Sequence, residues 1–333
     1  MRFSVESGQP LAHDDRVDTT APLATGGNRL PWHEVPVEVR QHLIAAVGAT
    51  VVEAVTCSGG FSPGMASVLT LADGRRVFAK AVSVTRNEFA VDAIRREVKV
   101  LAALPEDIPA PRLRWSFDDG EWVALVTDAV EGRNPVQPWR ADELSRFLEA
   151  MSILAERLTP SPISAESIVG TSSDSFSSWG KLAADPVSAA SLDLWTQAHL
   201  DRLAVLEQSW ARSAAGTSLL HGDLRSDNFL LTDDGFVVVD WPAVCVGAPW
   251  LDLLLALPSV AMHGGGDPQD LWLGHPLSRG VDSDAVSAVV AAVAGFFTER
   301  SLQPPIPNVP TLRAFQKAQG LVALRWLRRR TGW

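Results

Sequence analysis

The sequence predicts an α+β chain of two lobes: an N-terminal five-stranded antiparallel sheet carrying one helix, then a mostly helical C-terminal lobe. Three observations lead there. β-Branched runs separated by Asp/Gly turns occupy residues 51–127. Longer segments with a helical apolar period take over from Ala141. Between them, Gly132-Arg133-Asn134-Pro135 breaks either pattern, and 333 residues suffice for two lobes at roughly 100–200 residues each.

Residues 1–30 are polar, aperiodic and rich in Gly, Asp and Thr, which predicts a flexible arm. The N-terminal lobe is expected over 31–128 and the C-terminal lobe over 129–333, with a hinge near 126–132. Val37–Val47 has a helical stripe of Val39, Leu43, Ile44 and Val47. Val51–Cys57 is β-branched and leads into a Gly/Ser/Pro loop, Ser58–Gly64. Val68–Leu71 and Arg76–Ala81 read as strands joined at Asp73-Gly74, a hairpin-turn sequence. Asn87–Leu104 is a charged helix with Val91, Ile94, Val98 and Leu101 on one face. Arg112–Phe117 and Trp122–Thr127 pair through Asp118-Asp119-Gly120. Helices follow at Ala141–Leu158, Ser188–Ala214, Trp250–Met262, Asp284–Glu299 and Thr311–Arg330, with short strands near Leu219 and at Phe236–Val239. Residues 159–186 and 263–282 read as polar loops, either lids or disordered segments.

Composition narrows the function. The net charge of −10 disfavours a nucleic-acid binder, which needs a basic surface to meet phosphates. An apolar fraction of 46% excludes a wholly disordered chain. Cys57 and Cys245 are too few and too far apart for a disulfide framework or a C-x-x-C metal pair. The N-terminus lacks a signal-peptide core, and the apolar windows Leu251–Leu257 and Val286–Phe297 fall short of the ~20 residues that span a bilayer. A soluble, cytoplasmic protein without membrane or nucleic-acid partners is expected, its oligomeric state open between monomer and weak dimer.

The chemistry concentrates in His221-Gly222-Asp223-Leu224-Arg225-Ser226-Asp227-Asn228 and in Asp240, which ends a strand. A loop Asn and a post-strand Asp can supply oxygen to one hard divalent cation such as Mg²⁺, which takes few protein ligands and fills the rest with substrate phosphates. Asp223 is then free to accept a proton from an attacking hydroxyl. Gly60–Gly64 also fits the esterase pattern G-x-S-x-G. That elbow needs the backbone N–H after Ser, and Pro63 has none; it must also open a helix, whereas Met65–Leu71 reads as a strand.

The spacing H-x-D-x-x-x-x-N followed by Asp240 resembles the catalytic and metal-binding loops of kinases. In the form H-G-D-L-R-S-D-N with Asp240-Trp241, it is similar to the aminoglycoside phosphotransferase and choline kinase branch of the kinase-like fold. Gly247-x-Pro249-x-x-Asp252-Leu253 fits the segment that follows in that branch, and the likeness runs from about residue 32 to the C-terminus. The resemblance implies a two-lobed protein-kinase-like fold, with Asp223 as base, Asn228 and Asp240 on Mg²⁺, and Asp252 and His221 supporting the catalytic loop. Val77-Phe78-Ala79-Lys80 resembles the kinase strand whose Lys meets the α/β-phosphates. Its expected partner is Glu97, on the apolar side of the following helix, rather than Glu88. Ser62 in the glycine loop and the hinge residues Thr127, Asp128 and Ala129 complete the nucleotide candidates. Arg225 either stabilises the transferring phosphoryl group or bonds a carboxylate, and Asp227 is expected to be solvated.

The reaction so implied moves the γ-phosphate of ATP or GTP, with Mg²⁺, onto a hydroxyl of a small molecule. Inactivation of an antibiotic, aminoglycoside or nucleoside-type, is the role expected first. A metabolic acceptor (amino sugar, choline, homoserine) is the alternative. A pseudokinase that only binds has no need for Lys80, Asp223, Asn228 and Asp240 together. For the acceptor, residues 141–312 hold 21 acidic and 8 basic residues, which would draw a polycation. Trp179, Trp195, Trp250 and Trp272 offer flat walls instead, and Trp179 and Trp272 sit in the two loops suited to closing over a ring. A neutral, ring-bearing acceptor is expected. The basic run Arg325–Arg330 is expected to be an amphipathic docking helix.

Overall fold

A computed structural model describes residues 21–333. Helix α1 (Val37–Val47) is followed by strands β1 (Val51–Thr56), β2 (Met65–Leu71) and β3 (Arg76–Ser83), helix α2 (Glu88–Ala103), and strands β4 (Leu113–Asp118) and β5 (Trp122–Asp128). The strands form one antiparallel sheet in the order β1-β2-β3-β5-β4. Alternation along β3 sets its two faces. Val77, Ala79 and Ala81 pack with Val39 and Leu43 of α1, while Val82 packs with Val91 and Ile94 of α2. Phe78 and Lys80, in step with Val82, therefore belong to the α2 side. Asn87 caps α2 by accepting from Ala90 N at 2.8 Å. The helix buries Ala90, Ile94, Glu97 and Leu101, so its period puts Glu97 on the inner face.

The remainder is mostly helical. It comprises α3 (Ala141–Arg157), α4 (Ile168–Ser172), α5 (Ser178–Ala184), α6 (Pro186–Ser191), α7 (Leu194–Glu207), α8 (Trp210–Ala214), β6 (Ser218–Leu220), β7 (Phe229–Thr232), β8 (Gly235–Val238), β9 (Cys245–Gly247), α9 (Leu251–Met262), α10 (Pro268–Gly274), α11 (Ser283–Leu302) and α12 (Leu312–Thr331). The short strands pair as β6-β9 and β7-β8. α11 is 20 residues with mean hydropathy 1.4, so contrary to the sequence estimate it is long and apolar enough to cross a membrane by those measures alone. Its residues Val286–Gly295 are buried, and it packs against α5, α7, α8 and α12 as a core helix.

Several expectations are corrected. Residues 159–186 and 263–282 are not loops throughout: they contain α4, α5 and α10. Trp179 is wholly buried and donates from Nε1 to Ala291 O at 2.8 Å; Trp272 is 3% exposed and packs edge-on to Trp250. Trp195 stacks on His199 beneath the Arg328 guanidinium. These indoles are core and helix-packing groups, so the tryptophan-walled lid falls. The expected helix Ser188–Ala214 divides into α6, α7 and α8, because Asp193 accepts from Trp195 N and Thr196 N and starts a new helix. The basic run on α12 docks within the chain, Arg328 on Asp193 (2.9 Å) and Arg329 on Asp270 (2.7 Å).

Residues 21–30 are packed rather than loose. Leu30 joins the core of the sheet, and Ala24 packs with Met262, Phe315 and Val322. The rest of the expected arm, residues 1–20, lies outside the described residues.

Candidate active site

Lys80 leaves β3 between two carboxylates. Its Nζ lies 2.9 and 2.7 Å from Glu97 Oε1 and Oε2, and 2.6 Å from Asp240 Oδ1. Glu97 is 3% exposed, whereas Glu88 is exposed at the start of α2. Burial works against the Lys80 ammonium, yet Asp240 and Glu97 together raise its pKa above the ordinary value. Burial likewise opposes the Asp240 carboxylate, but Lys80 keeps its pKa below the usual range. Asp240 has φ +67, an uncommon conformation for a residue with a side chain and one that gathers at functional sites.

The loop after β6 is pinned from behind. Asp252, in the first turn of α9, accepts from His221 N (2.8 Å) and Gly222 N (2.9 Å). Gly222 has φ +78, and a Cβ there would sit 2.5 Å from Ala243 O, so the middle of His-Gly-Asp admits only glycine. His221 is fully buried and joins the loop to the strand before Asp240: Nδ1 accepts from Asp223 N (3.3 Å) and Nε2 donates to Val239 O (3.1 Å). Burial lowers its pKa to about 4, so both bonds hold with a neutral ring. Burial raises Asp252 to about 6. Asn134, in the break after β5, donates from Nδ2 to the carbonyls of Ser226, Asp227 and Phe229, each at 3.0 Å. It positions the loop and was not singled out from sequence, because a lone Asn in a Gly/Pro segment reads as a turn residue.

Asp223 sits among charges. Burial raises its pKa to about 6, against the pull of the Arg225 guanidinium bonded to its Oδ1. Arg225 also makes two 3.0 Å bonds to Asp227. Asp227 is therefore paired, with 11% of its side chain exposed, and not solvated as expected. Asn228 donates to Asp223 O (2.8 Å). Among the described residues its amide oxygen and Asp240 Oδ2 have no hydrogen-bond partner.

These groups border one cavity of about 560 Å³, within the range of small-ligand sites. Lys80, Glu97, Asn228 and Asp240 line it, as do Ser62, Thr127, Asp128 and Ala129. Asp223 and Arg225 are not lining residues; they adjoin it through Asn228 and Asp227. Val68 and Phe78, which face each other in the β2–β3 register, form one apolar wall, and Leu230 and Val239 line it from the helical part. The apolar wall was not read from sequence: alternation marks such residues as core, and only the fold turns them toward a cleft.

The sheet, its single long helix and the Lys80–Glu97–Asp240 cluster over a helical base define a kinase-like phosphotransferase. The chain belongs to the phosphotransferase enzyme family APH, whose family model matches residues 55–280. No curated protein matches the sequence. Among solved structures, an aminoglycoside phosphotransferase, APH(4)-Ia in ternary complex with ADP and hygromycin B, is similar at 15% identity and TM-score 0.59, over 88% of this chain and 98% of that one. The choline kinase LicA from Streptococcus pneumoniae is similar at 14% identity and TM-score 0.58, with the same coverages. The amicoumacin kinase hAmiN, in complex with AMP-PNP and Ca²⁺, is similar at 12% identity and TM-score 0.51, over 86% and 93%. The chain is thus a member of a phosphotransferase family with a kinase-like fold.

Proposed function

We propose that the protein transfers the γ-phosphoryl group of ATP or GTP to a hydroxyl of a small molecule and thereby inactivates an antibiotic. The observation that carries this reading is the convergence on one cavity of Lys80, held by Glu97, with Asp240 and Asn228, and of Asp223 immediately behind them. Asn228 and Asp240 fit Mg²⁺. The free amide and carboxylate oxygens are hard donors, and two protein ligands suit an ion that completes its shell with phosphates and water. A Mg²⁺ ion held by Asn228 and Asp240 would supply positive charge to offset that of the nucleotide phosphates. Lys80 meets the inner phosphates while Glu97 keeps it in place. Asp223 accepts the hydroxyl proton as the acceptor oxygen bonds to phosphorus and the bond to the leaving diphosphate breaks. Arg225, taken up by Asp223 and Asp227, orients the base rather than touching the phosphoryl group. His221 and Asp252 hold the loop that carries Asp223.

Neighbouring folds include enzymes crystallised with hygromycin B and with amicoumacin, which supports an antibiotic as acceptor. Calorimetric titration of nucleotide, with and without Mg²⁺, tests the site. Wild type should bind in a Mg²⁺-dependent way and Asp240→Ala should lose that dependence. Equal Mg²⁺-dependent binding by both would remove Asp240 from the site.

A further inference from the structure

Arg29 lies before α1, apart from the elements that supply the other charges of the cleft, yet it lines the same cavity. Residues 24–30 run along the glycine loop. Gly60 N donates to Ala24 O (2.7 Å), Gly27 N to Gly60 O (3.4 Å) and Leu30 N to Gly64 O (3.3 Å). A Cβ on Gly27 would stand 2.3 Å from Ser62 O, so glycine permits this approach. On the other side, Asn28 N donates to Asn308 O (2.8 Å) and Thr311 Oγ1 to Thr25 O (2.5 Å). The segment is thus tied both to the loop that covers the cleft and to the chain leading into α12. Arg29 is fixed at that seam, with Nη2 donating to Gly59 O.

Among the described residues the charge on Arg29 is unanswered: its Nε is buried without a partner and the guanidinium enters no ion pair. Lys80, Arg225 and Arg133 are each met by a carboxylate. Burial lowers the Arg29 pKa, and the carboxylates that act on it across the cavity are Asp240 and Asp227. Arg29 is half-buried, and an anion in the cavity would satisfy its unpartnered N–H and its charge together. The cavity it faces is the one assigned to nucleotide phosphates, and Asp240 and Asp227 mark the end where transfer occurs. We propose that Arg29 donates to the oxygens of the terminal phosphoryl group of the bound nucleotide, so that the N-terminal segment supplies a catalytic cation from outside the sheet. This rests on the nucleotide reading above.

The experiment compares Mg²⁺-dependent binding of AMP-PNP with ADP, and of GMP-PNP with GDP, by wild type, Arg29→Met and Arg29→Lys. A charge-assisted contact to the terminal group should make Arg29→Met weaken the imidotriphosphate about tenfold to a hundredfold while changing the diphosphate less than ~2-fold. Arg29→Lys should fall between Arg29→Met and wild type. Equal weakening of tri- and diphosphate, or none, would leave Arg29 as a brace for Gly59 and overturn the inference. Loss of cooperative melting in both variants would do the same. A wild type that binds neither nucleotide would overturn the functional reading itself, and the inference with it.

Discussion

Replacing Glu97 by Gln removes one of the two carboxylates that share Lys80, and the two partners have different fates when nucleotide arrives. Without nucleotide, Asp240 remains 2.6 Å from Nζ, so the variant leaves no orphaned buried charge. Its stability should fall by only about 1 kcal/mol, against the 3–5 kcal/mol of a buried pair left uncompensated. If Asp240 serves as the metal ligand proposed above, nucleotide binding would turn it toward Mg²⁺ and leave Lys80 to Glu97 alone. Lys80 bonds both Glu97 oxygens, whereas an amide offers it one acceptor and no countercharge. Losing one charge-assisted hydrogen bond, about 1.5–3 kcal/mol, is roughly a 10–150-fold loss of Mg²⁺-nucleotide affinity. Calorimetry of Mg²⁺-AMP-PNP or Mg²⁺-GMP-PNP, beside thermal melts of the same preparations, separates the two effects. Nucleotide affinity unchanged within ~2-fold, or a stability loss that exceeds the binding loss, would refute the division of labour between Glu97 and Asp240.

Three further outcomes follow. Asp223→Asn should keep nucleotide affinity and lose at least ~10²-fold in kcat. Because Asp223 is raised to about 6 and must be ionised to accept a proton, wild-type turnover should be flat above that pH and fall roughly tenfold per unit below it. A pH–rate profile without this limb would argue against Asp223 as base. Asp252→Asn keeps one acceptor oxygen where two backbone N–H groups need one each, so it should cost about 1–3 kcal/mol and lower the melting temperature by roughly 2–10 °C. The acceptor KM should change less than ~2-fold across a salt series, because apolar and neutral polar contacts are not screened. The acid excess is largely committed to structure: Asp185, Asp193, Asp267 and Asp282 cap helices, and Asp193, Asp267 and Asp270 hold α12. A KM that climbs steeply with salt would point to a polycationic acceptor instead.

The local code made the sheet readable. Asp73-Gly74 and Asp118-Asp119-Gly120 mark its turns, and the observed β2, β3, β4 and β5 differ from the sequence bounds by at most three residues. The expectation that Lys80 pairs with Glu97 rested on α2 periodicity, which places Glu97 inward. What stayed hidden depends on distant chain segments. Periodicity cannot show that residues 24–30 would hydrogen-bond along the glycine loop, so Arg29 read as part of a loose arm. The pairing of Asp227 with Arg225 depends on a tight turn around Asn228, which spacing alone does not show. Trp179 looked like a lid residue because Ser and Gly surround it. Its burial comes from α11, where Gly295 leaves room: a Cβ there would stand 2.8 Å from the indole nitrogen. Small residues on one helix made space for an aromatic more than a hundred positions away, which no local pattern records.

The cleft is proposed to move a phosphoryl group onto a small-molecule hydroxyl. Its most direct test is to incubate the protein and Mg²⁺ with γ-labelled ATP and GTP against aminoglycosides, nucleoside, peptide and macrolide antibiotics, amino sugars, choline and homoserine, following the label by mass spectrometry. Label should appear on a hydroxyl of one acceptor class, highest for an antibiotic, and the transfer should be lost in Asp223→Asn. Label that stays on a bound nucleotide across the whole panel would contradict it and leave a protein that binds without transfer.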